Sequence, residues 1–232
     1  GTLVVYTPAI PKMNAELIYF QEQSIQLYKR SEVLGIISEN YFTIAVAGTH
    51  GKTTTSSIIA HILNECGVNC IAFLGGISLN FNSNLLLSEN PTTLVVEADE
   101  FDRSFLTLSP DIALVTSVDA DHLDIYGNKD AMKNAYSEFV AKIKDGGELI
   151  SKQDCIEELS IREDIKVSSY SGSLDAMTAA KNVEIRGGDY YVDIEFLSSE
   201  RLGVGSVKDV KIGLPGIHNV ENAIGAFAIA DK

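Results

Sequence analysis

The sequence predicts an α/β fold, a doubly wound and mostly parallel sheet with a small antiparallel β appendage. Three observations carry this expectation. Short β-branched runs alternate with helical patterns between residues 42 and 165. One of those runs, Thr43 to Ala47, opens directly into the turn Gly48-Thr49-His50-Gly51-Lys52-Thr53-Thr54-Thr55. Past residue 165 the texture changes, and Val183 to Phe196 alternates apolar and polar residues about Gly187-Gly188, the pattern of a hairpin.

In chain order, residues 2–7 read as a buried strand, followed by Pro8-Ala9-Ile10-Pro11 and a helical stretch from Asn14 to Tyr28. Ser31 to Glu39 predicts a short helix. Tyr41-Phe42 then leads into the loop-bearing strand, which sets a boundary between residues 1–41 and 42–232. Ile58, Ile59, Ile62, Leu63 and Cys66 recur at helical spacing behind the loop, and Val68 to Leu74, Thr93 to Ala98 and Asp111 to Val118 read as strands. Lys129 to Lys144 carries Met132, Ala135, Tyr136, Phe139, Val140 and Ile143 on one face, a helix closed by Gly146-Gly147 before the strand Glu148 to Ile150. A final helix, Val220 to Asp231, has no terminating signal, so both ends are expected to be cut from a longer protein.

Composition narrows the functional classes. Of 232 residues, 45% are hydrophobic, enough for a sizeable core. With 18 Lys and Arg against 32 Asp and Glu, the net charge of -14 argues against a nucleic-acid partner, which needs clustered cations. No apolar run approaches the roughly 20 residues that span a bilayer, and no basic-then-apolar leader precedes the first strand, so no membrane association and a cytoplasmic location are expected. Cys66, Cys70 and Cys155 show no paired metal-ligand spacing and are odd in number, which predicts inert thiols or small core residues.

The turn after the strand has the chemistry of a phosphate-binding loop. Glycines at 48 and 51 let successive N–H groups converge, and the following helix adds its positive end. Lys52 would reach β- and γ-phosphates, while the Thr53 hydroxyl would serve a magnesium ion bridging them. The loop is short, since Val46 stands where the common spacing has a first glycine, and a plain helix-opening turn is the competing reading.

Two acidic segments follow strands and so fall at the same sheet edge. Glu97, the first acid of Glu97-Ala98-Asp99-Glu100, is the expected metal ligand; Asp99 and Glu100 are expected to orient it or to face solvent. Asp119-Ala120-Asp121-His122-Leu123-Asp124 suggests a second metal, with His122 either ligating manganese more readily than magnesium or touching the γ-phosphate. Asn128-Lys129-Asp130 lacks the spacing of a guanine-reading motif. His61 is expected to be structural or partly exposed. His218, Asn219 and Asn222 open the last helix, where the asparagines could cap it or read an adenine edge.

Taken together, Gly48 to Thr55, Glu97 to Glu100, Asp119 to Asp124 and Pro215-Gly216-Ile217-His218-Asn219-Val220-Glu221-Asn222 resemble the Mur ligases of bacterial cell-wall synthesis, over essentially the whole chain. The resemblance implies that 1–41 ends a Rossmann-like, UDP-sugar-binding N-terminal domain, that 42–232 is the central ATP-binding domain, and that a C-terminal amino-acid-binding domain is absent. The loop histidine and the Asp-His-Leu-Asp form match members that add L-alanine to the carboxylate of UDP-N-acetylmuramate, through an acyl phosphate formed from ATP. Implied roles are ATP contact for Gly48, Thr49, His50, Gly51, Lys52, Thr53, Thr54, His218, Asn219 and Asn222, and Mg2+ ligation, with Mn2+ the alternative, for Thr53, Glu97 and His122. Lys52, Glu97 and His122 would be catalytic, and His50 and Asn84 would face the UDP-sugar. Asn82 stands where relatives often have glycine. A tripeptide-recycling ligase and a non-catalytic nucleotide-binding module are the competing readings.

Overall fold

The structure is a computed structural model that describes residues 3–119, 126–173, 176–198 and 203–232. The chain begins with a parallel pair, β1 (Val4–Tyr6) and β2 (Leu27–Lys29), connected through α1 (Ala15–Glu22) and followed by α2 (Arg30–Asn40). Asn14 starts α1, its Oδ1 accepting the N–H groups of Glu16 and Leu17 at 3.0 Å each. The helix expected to reach Tyr28 stops at Glu22. Ser24 turns to φ +54°, and Leu27–Lys29 find backbone partners in Val4–Tyr6 instead of in a further helical turn.

The main sheet is built from β3 (Phe42–Ala47), β4 (Cys70–Ser78), β5 (Ser83–Leu86), β6 (Thr93–Glu97), β7 (Ile112–Val115), β8 (Glu148–Lys152), β9 (Lys166–Ser171), β10 (Thr178–Arg186), β11 (Asp189–Ser198) and β12 (Gly203–Ile212). Their spatial order is β12-β11-β10-β9-β8-β7-β3-β6-β4-β5. Pairings from β4 across to β10 are parallel, and β5, β11 and β12 join antiparallel at the two edges. This is the expected doubly wound, mostly parallel α/β fold. The hairpin about Gly187-Gly188 forms as β10 and β11, but it continues the main sheet, because Thr178 and Ala179 pair with Tyr170 and Ser171 of β9. β5, β9 and β12 were not read from the sequence; β9, Lys-Val-Ser-Ser-Tyr-Ser, has too little apolar character to signal a strand by itself.

Successive residues of β3 feed two cores. Ala45 and Ala47 face one layer with Phe105, Met132, Tyr136 and Phe139, where α4 (Lys129–Val140) packs. Ile44 and Val46 face the other with Ile59 of α3 (Lys52–Glu65) and Ile224 of α5 (Ile217–Ala230). Phe105 stacks on Phe139 at 5.1 Å and meets Tyr136 edge-on at 5.6 Å. α4 ends at Val140 rather than Lys144, whose N–H goes to Pro110 O at 2.8 Å and whose Nζ pairs with Asp111 at 2.7 Å. Asn128 caps α4 through a 2.8 Å bond from Ala131 N–H, which accounts for the Asn-Lys-Asp run. All three cysteines are free: Cys70 and Cys155 are buried, and Cys66 is exposed. Burial pushes the Cys155 thiol up to about 11, so it stays protonated at neutral pH.

Among the described residues no helix is long and apolar enough to cross a membrane. The feature that positions the site is the place of β3. The chain winds outward from β3 to β4, returns to β6 beside β3, and then crosses to β7 on the other side. The end of β3 therefore lies in the crevice between the ends of β6 and β7, the switch point where open α/β sheets bind ligands.

Candidate active site

The loop leaving β3 is shaped by two glycines in backbone regions that other residues rarely adopt, Gly48 at φ +138° and Gly51 at φ +84°. A Cβ on Gly48 would strike the Thr116 hydroxyl, and one on Gly51 would strike Asn222 Oδ1. Gly51 is also the N-cap of α3 and supplies no side-chain cap, so the first-turn amides remain for an outside acceptor.

The short loop is stitched to the end of β7. Thr116 Oγ1 donates to His50 O, and Ser117 Oγ accepts the His50 N–H at 2.9 Å. Thr49 N–H bonds Ser117 O at 3.2 Å, and Thr49 Oγ1 bonds both Asp119 O and Asp119 N at 3.0 Å. Thr49 is buried by these contacts, while the His50 ring remains exposed.

Glu97 ends β6, half-buried, with its carboxylate accepting the Gly75 N–H at 2.8 Å. A Cβ at Gly75 would fall on both carboxylate oxygens, so that glycine makes the room in which the carboxylate sits. Glu100, expected to orient Glu97 or to face solvent, does neither. It is 1% exposed and pairs with Lys52 Nζ at 2.8 Å. Asp99 accepts the Phe101 N–H at 3.0 Å and shapes the following turn.

Thr49, His50, Gly51, Lys52, Thr53, Thr54 and Glu97 line one cavity of about 340 Å³. Glu97 also lines a second of about 320 Å³, with Asn84, Arg30, Leu34 and Asp99, and a third of about 250 Å³ bounded by Thr7, Pro8, Ala9 and Ser31. One carboxylate thus stands at the corner of three cavities. Asn82 adopts φ +50°, a conformation glycine and asparagine tolerate best, so the loop before Asn84 keeps a glycine-like course.

α5 packs against α3 and brings Asn222, 8% exposed, to Gly51. Neither asparagine caps α5, whose N-cap is Gly216. Asn219 Nδ2 reaches back to Pro215 O at 2.7 Å, and Asn222 Nδ2 donates to Asn219 Oδ1 at 3.1 Å. His218 is exposed with its ring folded onto Gly216, and His61 is half-exposed, 4.0 Å from Glu65. His122, with Asp121 and Asp124, lies outside the described residues. Among the described residues no cluster of three or more His, Cys, Asp or Glu could hold a metal. Sequence reasoning missed Arg30, Thr116, Ser117 and the burial of Glu100; the hydroxyl pair directly after an apolar strand was the one available signal.

A glycine-shaped loop at a strand end, an acidic β6 terminus beside it and an asparagine-bearing helix behind give an α/β domain with the layout of a nucleotide site. The chain belongs to the Mur ligase family, with residues 46–230 matching the Mur ligase middle domain. It is 48% identical, over 99% of its length, to the UDP-N-acetylmuramate--L-alanine ligase of Flavobacterium johnsoniae. It covers 48% of that protein, so the chain spans about half the length of the curated relatives it matches. Among solved structures, the UDP-N-acetylmuramate-alanine ligase of Thermotoga maritima superimposes with a TM-score of 0.78 at 23% identity, covering 99% of this chain and 50% of that one. A Neisseria UDP-N-acetylmuramate:L-alanyl-gamma-D-glutamyl-meso-diaminopimelate ligase gives 0.77 at 22%, covering 97% and 73%; at these identities both show the fold alone.

Proposed function

We propose that this chain is the nucleotide-binding part of an ATP-dependent ligase that joins L-alanine to the carboxylate of UDP-N-acetylmuramate in peptidoglycan synthesis. Residues 1–41 would end the UDP-sugar domain and 42–232 form the central domain, working in the cytoplasm. The observation that carries the reading is Glu97 at the corner between the phosphate-loop cavity and the cavity lined by Asn84 and Arg30, where a nucleotide phosphate and a second substrate would meet.

In this reading the uncapped amides of α3 and Lys52 bind the β- and γ-phosphates, and Asn222 and Asn219, with His218 nearby, hold the adenine end. Thr53 and Glu97 are the residues that would hold magnesium; both line the loop cavity, and their hydroxyl and carboxylate oxygens suit an oxygen-preferring cation. Magnesium bound there would neutralise charge on the transferring phosphoryl group. His122 would serve beside it. The muramyl carboxylate oxygen attacks the γ-phosphorus, the bond to ADP breaks, and an acyl phosphate forms. The alanine amine then adds to the acyl carbon, and the tetrahedral adduct expels inorganic phosphate as the amide forms. The protein contributes positioning and charge compensation, with His50 and Asn84 toward the sugar.

The test is phosphate release by the full-length protein with ATP, magnesium and UDP-N-acetylmuramate, supplying L-alanine in one reaction and the murein tripeptide in another. Alanine-dependent release is expected, with Lys52→Ala and Glu97→Ala abolishing it. Release with the tripeptide alone would move the protein to recycling, and nucleotide binding without either release would make it a binding module. The 42–48% identity to relatives named as alanine ligases favours the first outcome.

A further inference from the structure

The Lys52 ammonium is held from behind. Its Nζ donates to Gly48 O at 2.8 Å and to Glu100 Oε1 at 2.9 Å, with Oε2 at 2.8 Å. We propose that Glu100 is a positioning residue for Lys52, fixing the ammonium so that its remaining N–H faces the transferring phosphate. The inference rests on the ATP-dependent reading of this site.

Three observations support it. Glu100 is buried and Lys52 is half-buried, the side chains being 1% and 14% exposed, so the attraction is only partly screened by solvent. Gly48 O and the Glu100 carboxylate engage the ammonium from the protein side, while Lys52 itself lines the loop cavity. Glu100 itself sits on a braced turn: Tyr126 Oη donates to Glu100 O at 2.5 Å, Arg103 N–H bonds the same carbonyl at 3.0 Å, and Phe105 N–H bonds Asp99 O at 3.0 Å.

The two acids of one strand end therefore divide the work. Glu97 opens onto the cavities, whereas Glu100 is 1% exposed, does not line the loop cavity, and pairs with the Lys52 ammonium at its edge. A free lysine is a compact charge on a four-carbon stem with many rotamers. Anchoring it beforehand removes that search from each turnover. Because Glu100 also compensates the lysine charge in the ground state, losing it should not weaken nucleotide binding. It should instead misplace the one donor that matters during transfer.

The experiment uses the full-length ligase and phosphate release, with Glu100→Gln and Glu100→Asp variants. For Glu100→Gln the expected result is kcat lower by about 10-fold or more, as misplacement of a catalytic group produces, with KM for ATP within about threefold of wild type. Glu100→Asp should recover part of kcat. A folded Glu100→Gln enzyme with wild-type kcat overturns the proposal, as does a loss of kcat matched by an equal rise in KM for ATP, which a general distortion of the site would give. A second measurement needs no variant: the Lys52 15Nζ signal of the wild type should stay protected from exchange before and after a non-hydrolysable ATP analogue is added with magnesium. Its loss on adding the analogue overturns the proposal. These readouts are taken with whichever amine supports turnover, so tripeptide-dependent release would overturn the alanine assignment and leave the role of Glu100 standing.

Discussion

Gly75 illustrates how a residue without a side chain sets the chemistry of its neighbour. Its N–H orients Glu97, and its missing Cβ leaves the carboxylate its space. Gly75→Ala should therefore displace Glu97 and lower magnesium-dependent ligation by at least about 10-fold, the scale of a misplaced catalytic group. A magnesium titration of ligation rate checks this, and an unchanged midpoint for activation would count against the assigned ligand. Glu97 was legible from the sequence because an apolar run ending in acid marks a strand terminus. Glu100 was not. Three residues along the same segment, its burial depends on the turn that follows and on Tyr126, contacts that no local pattern encodes. Lys52→Met would leave the buried Glu100 carboxylate without its cation, costing about 3–5 kcal/mol as broken buried pairs do. Denaturant unfolding of that variant against wild type measures it, and Glu100→Gln in the Lys52→Met background should restore much of the loss.

At the scale of elements, the loop between β3 and α3 owes its course to the end of β7. A phosphate loop with the usual extra residues can hydrogen-bond within itself, whereas this short one borrows Thr116 and Ser117. Replacing both, Thr116→Val with Ser117→Ala, strands the His50 amide and removes a donor to its carbonyl, at about 1–3 kcal/mol for each buried group left unpaired. The expected readout is a raised KM for ATP with little change in kcat once the site is saturated, measured by phosphate release. The sequence yielded the loop, α3, α4 and α5 from periodicity and glycine placement. It failed at α1, where an apolar-rich run to Tyr28 looks helical but Leu27–Lys29 gains a strand partner twenty-odd residues away. It failed again at β9, where serines are buried by neighbouring strands rather than by their own hydrophobicity.

For the molecule as a whole, the sheet order encloses β3, with parallel partners on both sides and a core on each face. Amides of Ile44 to Ala47 should exchange with deuterium only through global unfolding. Those of β1, β2 and α1 should exchange through smaller openings, since their ladder has three residue pairs and α1 buries no residue. Hydrogen exchange on the full-length protein compares them directly, and equal protection would contradict this ranking. What the sequence determined by itself was local: the alternation of strands and helices, the glycines that turn the loop between β3 and α3, and the acid at the end of β6. Each depends on residues within one element or one turn. Tertiary structure alone decided which distant residues share a site, because strand order rather than chain order sets who is adjacent. That order places Thr116 and Ser117 under the loop, Glu100 behind Lys52 and Asn222 against Gly51, and it makes one sheet of what the sequence suggested was a sheet and an appendage.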